Sequence, residues 1–173
     1  MAGAYRQERN IEKSLWEEIR TILTNASYTN VTVVKSFKQA AKTGLNSESK
    51  NAVIVARISR TAHVGAEVGS YLTRRDPFII LDIFGTSEGQ VKDLKDLLVL
   101  ALKDGFTYYE WTVTGGVTSD ATYESGETAN GRIAVRSIAD TEVNLGEDKS
   151  QLDIMDRYRW RINIDAYKTA LED

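Results

Sequence analysis

The sequence predicts an α/β protein of the α+β type, in which a mostly antiparallel sheet of about five to six strands is flanked by two amphipathic helices. Two segments carry apolar residues at helical spacing, segments rich in β-branched and aromatic residues lie between and after them, and the last segment alternates strictly between apolar and polar residues. The 173 residues, 42% apolar and 27% charged, suit one core of ordinary size. Residues 1–173 are therefore predicted to form a single domain with protruding loops or a hairpin.

The two predicted helices have recognisable starts and ends. The first covers residues 11–25, and its apolar residues share one helical face: Ile11, Leu15, Ile19, Ile22 and Leu23. Asn10 is predicted to cap its start, because the side-chain oxygen can accept a backbone N–H. The second helix follows Ser87, which has capping-box spacing to Gln90, and ends where Gly105 can adopt a left-handed conformation.

Strands are predicted at residues 31–37, 51–61, 78–84, 107–114, 132–143 and from 157 onward. The second contains a nearly continuous apolar run, typical of a strand covered on both faces. Pro77 is expected to open the third strand, where a missing N–H is tolerated. The strict alternation of the last strand predicts one buried face, one polar face and antiparallel pairing with the fifth strand.

Four segments lack a core pattern and are predicted to lie outside the sheet. Residues 40–51 suit a loop, residues 59–76 suit a long loop or a mobile hairpin, and residues 115–131 and 144–156 suit flexible excursions. Ordering the two excursions, residues 115–131 and 144–156, in isolation costs conformational entropy with little burial to offset it. We therefore expect a partner surface to supply that burial.

Composition argues against several function classes. The formal net charge of −3 disfavours a protein that holds nucleic acid through a general basic excess. The lack of cysteine excludes disulfides, thiolate nucleophiles and thiolate metal ligands. The polar N-terminal residues do not resemble a signal peptide, and no apolar run approaches the roughly 18 residues of a membrane span. These features predict a protein of the reducing cytoplasm without a membrane partner.

Titratable residues offer little support for catalysis. His63 is the only histidine and is interpreted as an ordinary loop residue, because no nucleophile motif lies nearby. Asp82 lies inside an apolar strand, where pairing with an arginine explains it better than catalysis, since isolated buried charge is costly. Asp153 and Asp156 belong to an acidic segment whose spacing does not match a calcium loop. We predict no catalytic residue, no cofactor and no metal site.

Arginines form two candidate interaction clusters. Arg157, Arg159 and Arg161 share the polar face of the last predicted strand, and Arg74 and Arg75 lie in the loop that precedes the third. The row on the last strand has two interpretations: a stripe that meets acidic residues of a neighbour or phosphates, or a solvated face with local ion pairs of little net energy. The candidate subunit-interface or lumen residues are these five arginines, Asp153 and Asp156.

The amino-acid sequences of the predicted elements and their order give a further indication of the function. The strand NAVIVARIS precedes a variable loop, the strand PFIILDIFG runs directly into the helix SEGQVKDLKDLLVLALKDG, and the sequence ends in the alternating segment RYRWRINIDAY. Together with the opening helix, this order resembles the tail terminator proteins of long-tailed bacteriophages, also called tail-completion or tail-to-head joining proteins. The resemblance implies a sheet flanked by helices with a protruding hairpin, formed by residues 59–76 or 115–131.

The resemblance also implies a function. A hexameric ring of such subunits would cap the finished tail tube, end its elongation and join the tail to the head connector. The implied partners are copies of this chain, the tail tube protein and a head-closure or connector protein, with DNA passing through the lumen without specific binding. The implied location is the neck of the virion, after assembly in the host cytoplasm. Three alternatives remain: another neck component such as a head-closure or adaptor protein, a small nucleic-acid-binding module that uses the arginine row, and a small acid-dependent enzyme.

Overall fold

The computed structural model describes residues 7–43, 51–65, 72–113, 124–143 and 158–170. Its helices and strands, in chain order, are α1 (Gln7–Asn25), β1 (Val31–Val34), α2 (Phe37–Thr43), β2 (Ala52–Gly65), β3 (Thr73–Phe84), α3 (Glu88–Leu102), β4 (Phe106–Val113), β5 (Glu124–Glu142) and β6 (Arg159–Lys168). The strands form one six-stranded sheet in the order β1-β2-β3-β6-β5-β4. The predicted mixed fold of helices and a sheet is confirmed.

The sheet is mostly antiparallel, as predicted. Only β1 and β2 are parallel, joined by a connection that contains α2, and the other four strand pairs are antiparallel. β5 is 19 residues long and pairs with β4 through its first part and with β6 through its second. Ile133 of β5 faces Phe106 on one side and Lys168 on the other, so the partner changes at this residue. This change of partner from β4 to β6 lets the sheet curl along its length.

The main core lies between one face of the sheet and helices α1 and α3. All five apolar residues predicted to share a face of α1 are buried, as are Val91, Leu94, Leu98 and Leu102 of α3. The strand side chains that meet them include Ala52, Ile54, Ala56, Ile79, Leu81, Ile83, Ile162 and Ile164. Burying one large aliphatic side chain is worth about 1.5–3 kcal/mol relative to leaving it in water, so this layer supplies most of the stabilisation.

The ends of α3 follow the predicted capping chemistry. The Ser87 hydroxyl accepts the N–H of Gln90 at 3.2 Å, while the Gln90 side chain accepts the N–H of Thr86 at 2.9 Å. Gly105 has a φ of +82°, and its N–H donates to the Leu102 carbonyl at 2.9 Å. The helix therefore begins and ends as the sequence predicts, with the glutamine reaching one residue further back than in a standard capping box.

A third helix covers part of the opposite face, where a loop was predicted. α2 buries Ala40 against Val53, Val55 and Phe84, which confirms that β2 is covered on both faces. The predicted loop over residues 40–51 is therefore wrong for residues 40–43. The reason is a second capping box, in which the Ser36 hydroxyl accepts the N–H of Gln39 at 3.3 Å.

The structure decides three further expectations. Residues 59–65 and 73–76 continue strands β2 and β3 and pair antiparallel with each other, which favours the hairpin over the loop among the two predicted alternatives. Pro77 lies inside β3, at a point beyond the last pair that β3 shares with β6, so only one neighbouring strand is present there and the missing N–H is tolerated. Residues 124–131 belong to β5 and pair with β4. The predicted excursion over residues 144–156 lies outside the described residues.

Candidate interaction surface

The sheet face opposite α1 and α3 carries an unusual concentration of arginine. Residues that are paired across antiparallel strands share a face, and alternation along β2, β3, β5 and β6 brings arginine side chains to this side. We call the part formed by β2, β3, β6 and the adjoining end of β5 the arginine face. Its arginines are Arg57, Arg60, Arg74, Arg136, Arg159 and Arg161, and its carboxylates are Asp76, Asp82 and Asp165.

Asp82 is the centre of this face. It is fully buried, and its Oδ1 accepts hydrogen bonds from Arg161 Nε at 2.9 Å and from Arg159 Nη2 at 3.1 Å. Its second carboxylate oxygen, Oδ2, is buried without a hydrogen-bond partner among the described residues. Two guanidinium groups on adjacent positions of the β6 polar face therefore neutralise one buried carboxylate of β3, as predicted for Asp82.

Aromatic rings support the arginines around this pair. Arg57 and Arg159 lie 5.3 and 5.1 Å from the ring centre of Phe37 in α2, and Arg159 also lies 5.1 Å from the ring of Phe84. The Phe37 ring meets Phe84 edge-on at 6.0 Å. Stacking on rings fixes the planes of the guanidinium groups while leaving their edges available to a partner.

The end of the β2–β3 hairpin projects beyond the rest of the sheet. We call residues 60–65 and 73–77 the arm, because β1 pairs with β2 only up to Val55 and β6 pairs with β3 only from Phe78. From residue 62 to residue 65 the arm is exposed. It therefore offers a surface that none of the other described strands covers.

Asp76 ties the base of the arm to the neighbouring strands. Its carboxylate accepts hydrogen bonds from Arg74 Nε at 2.9 Å and from Arg136 Nη2 at 2.8 Å. Both guanidinium groups also lie over the ring of Tyr167, at 5.1 and 5.0 Å. Burial alone would raise the pKa of Asp76, but the hydrogen bonds and positive charge of Arg74 and Arg136 outweigh it, and the pKa lies below its ordinary value.

The structure brings together some of the predicted site residues and separates others. Arg159, Arg161 and Arg74 share the arginine face. Arg75 lies opposite His63 in the register of β2 and β3, on the other side of the arm. His63 thus lies in a strand and is exposed, which corrects its predicted position in a loop. Three predicted site residues lie outside the described part of the chain: Arg157, Asp153 and Asp156.

Sequence reasoning missed half of the arginine face. Arg57, Arg60 and Arg136 were not singled out, although alternation along β2 places Arg57 on the same face as Val55, the residue paired with Asp82. Arg136 could not be found in this way, because a bulge between Val135 and Ser137 interrupts the alternation of β5.

A buried polar cluster at the start of α1 was also missed. Lys168 is 2% exposed, donates to Gln7 Oε1 at 2.8 Å and lies 4.3 Å from the ring centre of Tyr108. The Tyr108 hydroxyl donates to the same Gln7 oxygen and accepts from Asn10 at 3.5 Å. Asn10 therefore lies inside α1 and does not cap it, since the helix begins three residues before it. These contacts fix the first turn of α1 to strands β4 and β6.

A groove of about 450 Å³ between the end of α1 and strand β1 is lined by apolar and threonine side chains and by Tyr28 and Arg20. Within the described ranges, no three histidine, aspartate or glutamate side chains gather closely enough to hold a metal ion. None of the described helices has the length and apolar character needed to cross a bilayer.

Comparison of the sequence with known protein families and with curated proteins finds no match.

Proposed function

We propose that this chain is a structural subunit of a phage virion, which forms a ring that caps the tail tube, ends tail elongation and joins the tail to the head connector. In this proposal its partners are copies of itself, the tail tube protein and a head-closure or connector protein, while DNA passes through the lumen without specific binding. The protein assembles in the host cytoplasm and resides in the virion neck. The observation that carries the proposal is the arm, which extends past both neighbouring strands.

The arm supports this role because it is a regular hairpin whose β2 strand is exposed from residue 62 to residue 65. Its end is exposed, yet its base is held by two ion pairs between Asp76 and the arginines Arg74 and Arg136. An extension that is rigid at its base and exposed at its end suits contact with a neighbouring subunit, whose surface supplies the missing burial. The family that the sequence resembles has such a protruding hairpin.

The charged residues of the arginine face support a structural role over a catalytic one. Asp82, which is fully buried, already serves as the counterion of Arg159 and Arg161. A general acid or base must reach a substrate proton, whereas this carboxylate is fully buried beneath its partners. We propose that the chain is not an enzyme.

Assembly on purified tail tubes tests the proposal. The protein is mixed with tubes that lack a cap, and bound subunits are counted by native mass spectrometry and located by electron microscopy. We expect a closed ring at one end of each tube and tubes that no longer elongate. A protein that stays monomeric at high concentration and leaves the tubes uncapped would exclude this function.

Two variants make the assembly test specific to the arm. Replacing residues 62–75 by a two-residue turn is expected to abolish capping while leaving the circular dichroism spectrum of the sheet largely unchanged. The matched control shortens residues 115–122, between β4 and β5. Its capping of the tubes is expected to be affected less severely than that of the arm variant. Loss of capping only in the control would contradict the role given to the arm.

Two other functions can be separated by direct measurements. Another neck component, such as a head-closure or adaptor protein, would be found at the connector and not at the tube end in labelled particles. A nucleic-acid-binding module is favoured by the six arginines on one face and would show affinity for DNA that falls steeply with salt concentration. Absent or salt-insensitive binding excludes that module.

A further inference from the structure

The arginine face differs from a phosphate-binding surface in its composition. Its described basic residues are all arginines, and five of the six lie over an aromatic ring. The rings are those of Phe37, Phe78, Phe84 and Tyr167. Arginine and aromatic residues are enriched at protein–protein interfaces, where lysine is depleted. The three aspartates on the same face would repel phosphates. This composition favours a protein partner.

The charge of the face favours an acidic partner. Among the described residues, six arginines against three aspartates leave a net charge of +3 on this surface, although the whole chain has a net charge of −3. Arg57 and Arg60 contribute most directly to the positive charge of the face, because each lies over a phenylalanine ring and forms no ion pair with a described carboxylate. The rest of the molecule must then carry a net charge of about −6, so a second copy offers an acidic surface of its own.

The opposite edge of the sheet provides that acidic surface. We call β4 and the first part of β5, residues 106–113 and 124–131, the acidic hairpin. Within these bounds it contains Glu110, Glu124 and Glu127, whereas the next residue of β5, Arg132, is paired with Thr107 of β4. Glu127 is exposed and pairs with Trp111, whose ring lies 4.4 Å from the ammonium of Lys13 of α1. Glu110 is less available, since its carboxylate meets Gln7 and Tyr108.

We propose that the arginine face of one copy docks on the acidic hairpin of the next copy. The two patches lie on different parts of the molecule, because β6 and the second part of β5 separate β3 from β4 in the sheet. A contact between two different patches is heterologous, so every subunit keeps one free patch of each kind until a ring closes. The inference rests on the proposed ring function, for which it names the surfaces that join neighbours.

A charge-swap experiment tests this contact. The face-reversed variant carries Arg57→Glu and Arg60→Glu, and the hairpin-reversed variant carries Glu127→Lys. Each variant alone is expected to self-associate, or to assemble on tail tubes, roughly tenfold or more weakly than the unaltered chain, because like charges then face each other. An equal mixture of the two is expected to restore assembly, with both variants alternating in one oligomer on native mass spectrometry.

Control variants change the same charges elsewhere. Lys103→Glu and Asp93→Lys alter exposed residues of the α3 region, and both are expected to assemble like the unaltered chain. Thermal unfolding is measured for every variant. If the double variant on the face fails to fold, Arg60→Glu alone replaces it, because Arg60 is exposed and lies farther from Asp82.

Each outcome decides one of the two ideas. If both reversed variants assemble as well as the unaltered chain, the proposed contact is overturned while the ring function stands. If the variants fail alone and their mixture also fails, the pairing of these two surfaces is overturned. An unaltered chain that neither self-associates nor caps tubes overturns the ring function together with the contact. Tight, salt-dependent binding of duplex DNA that Arg57→Glu and Arg60→Glu abolish would assign the face to nucleic acid.

Discussion

Asp82 of β3 and Arg161 of β6 are directly paired across the sheet, and their side chains meet at 2.9 Å although Asp82 is fully buried. Arg159, two residues earlier on the same strand, reaches the same carboxylate oxygen at 3.1 Å. One buried negative charge thus holds two arginines on the open face of a central pair of strands. Such a cluster stabilises the fold only while all its members are present.

Removing the buried carboxylate is expected to be severe. Asp82→Ala removes the buried carboxylate that Arg159 and Arg161 share and should lower the free energy of unfolding by about 3–5 kcal/mol. The control is Asp165→Ala, because Asp165 lies on the same face with a half-exposed side chain and a longer contact of 3.7 Å to Arg136. The control should lose less than about 1 kcal/mol in urea unfolding. Equal losses for the two variants would show that burial does not set the energy of these pairs.

The ion pairs of Asp76 predict that the arm loosens in acid. Because the pKa of Asp76 is lowered in the folded state, its contribution is present above the ordinary value of 3.8 and is lost as the pH falls through the lowered pKa. At pH 7, Asp76→Asn should reduce the free energy of unfolding by about 1–2 kcal/mol. The two proteins should approach each other in stability below pH 3.8.

The exposed residue Asp93 supplies the control for the Asp76 experiment. Asp93→Asn should leave stability unchanged at both pH values. Hydrogen exchange of the arm amides provides the local measurement, since Asp76→Asn should accelerate exchange in residues 60–65 at pH 7. Unchanged exchange there would contradict the anchoring role of Asp76.

Glu12 of α1 should show the opposite dependence on pH. Burial raises the pKa of Glu12, although its carboxylate accepts the N–H of Ile58 at 3.3 Å, which lowers it. The folded state therefore holds the proton more tightly than the unfolded state, and stability falls as the pH rises above 4.5. Glu12→Gln keeps an acceptor for Ile58 without the charge, so it should be more stable than the unaltered chain at pH 7 and equal to it near pH 4. A variant that is less stable at pH 7 would refute this assignment.

Gly105 is expected to tolerate no side chain. Its φ of +82° suits glycine, and an added Cβ would overlap the carbonyl oxygen of Ile133. Gly105→Ala should lower the free energy of unfolding by at least about 1–3 kcal/mol from backbone strain, and more from the overlap. Gly89 in the first turn of α3 has open space around it, so Gly89→Ala should stabilise the protein by up to about 1 kcal/mol. Thermal unfolding of both variants separates these effects.

The parts of the fold that follow from local pattern were predictable. Helical spacing identified α1 and α3, and the Ser87–Gln90 pair and Gly105 identified the ends of α3. The alternation of β6 correctly predicted its two faces. By contrast, α2 was missed because it is only seven residues long and its capping signal, Ser36 with Gln39, was not considered.

The candidate site depends on pairing between distant strands, which a single sequence does not reveal. That Asp82 pairs with an arginine was predictable from the cost of burying a lone charge. That the partners are Arg159 and Arg161 follows from the register of β3 against β6, across 77 and 79 residues of sequence. The Lys168–Gln7 contact spans 161 residues, and no local pattern indicates that a lysine near the end of a strand is buried.

The position of β6 has a consequence for how the protein folds during synthesis. Among the described strands it is the last to leave the ribosome, yet it lies in the middle of the sheet between β3 and β5. Until it emerges, the β2–β3 and β4–β5 hairpins have no strand that connects them, so the nascent chain carries two separate half-sheets. Their unpaired inner edges are open to pairing with other chains during that interval. The ten residues of β6 therefore complete both the sheet and its protection against misassembly.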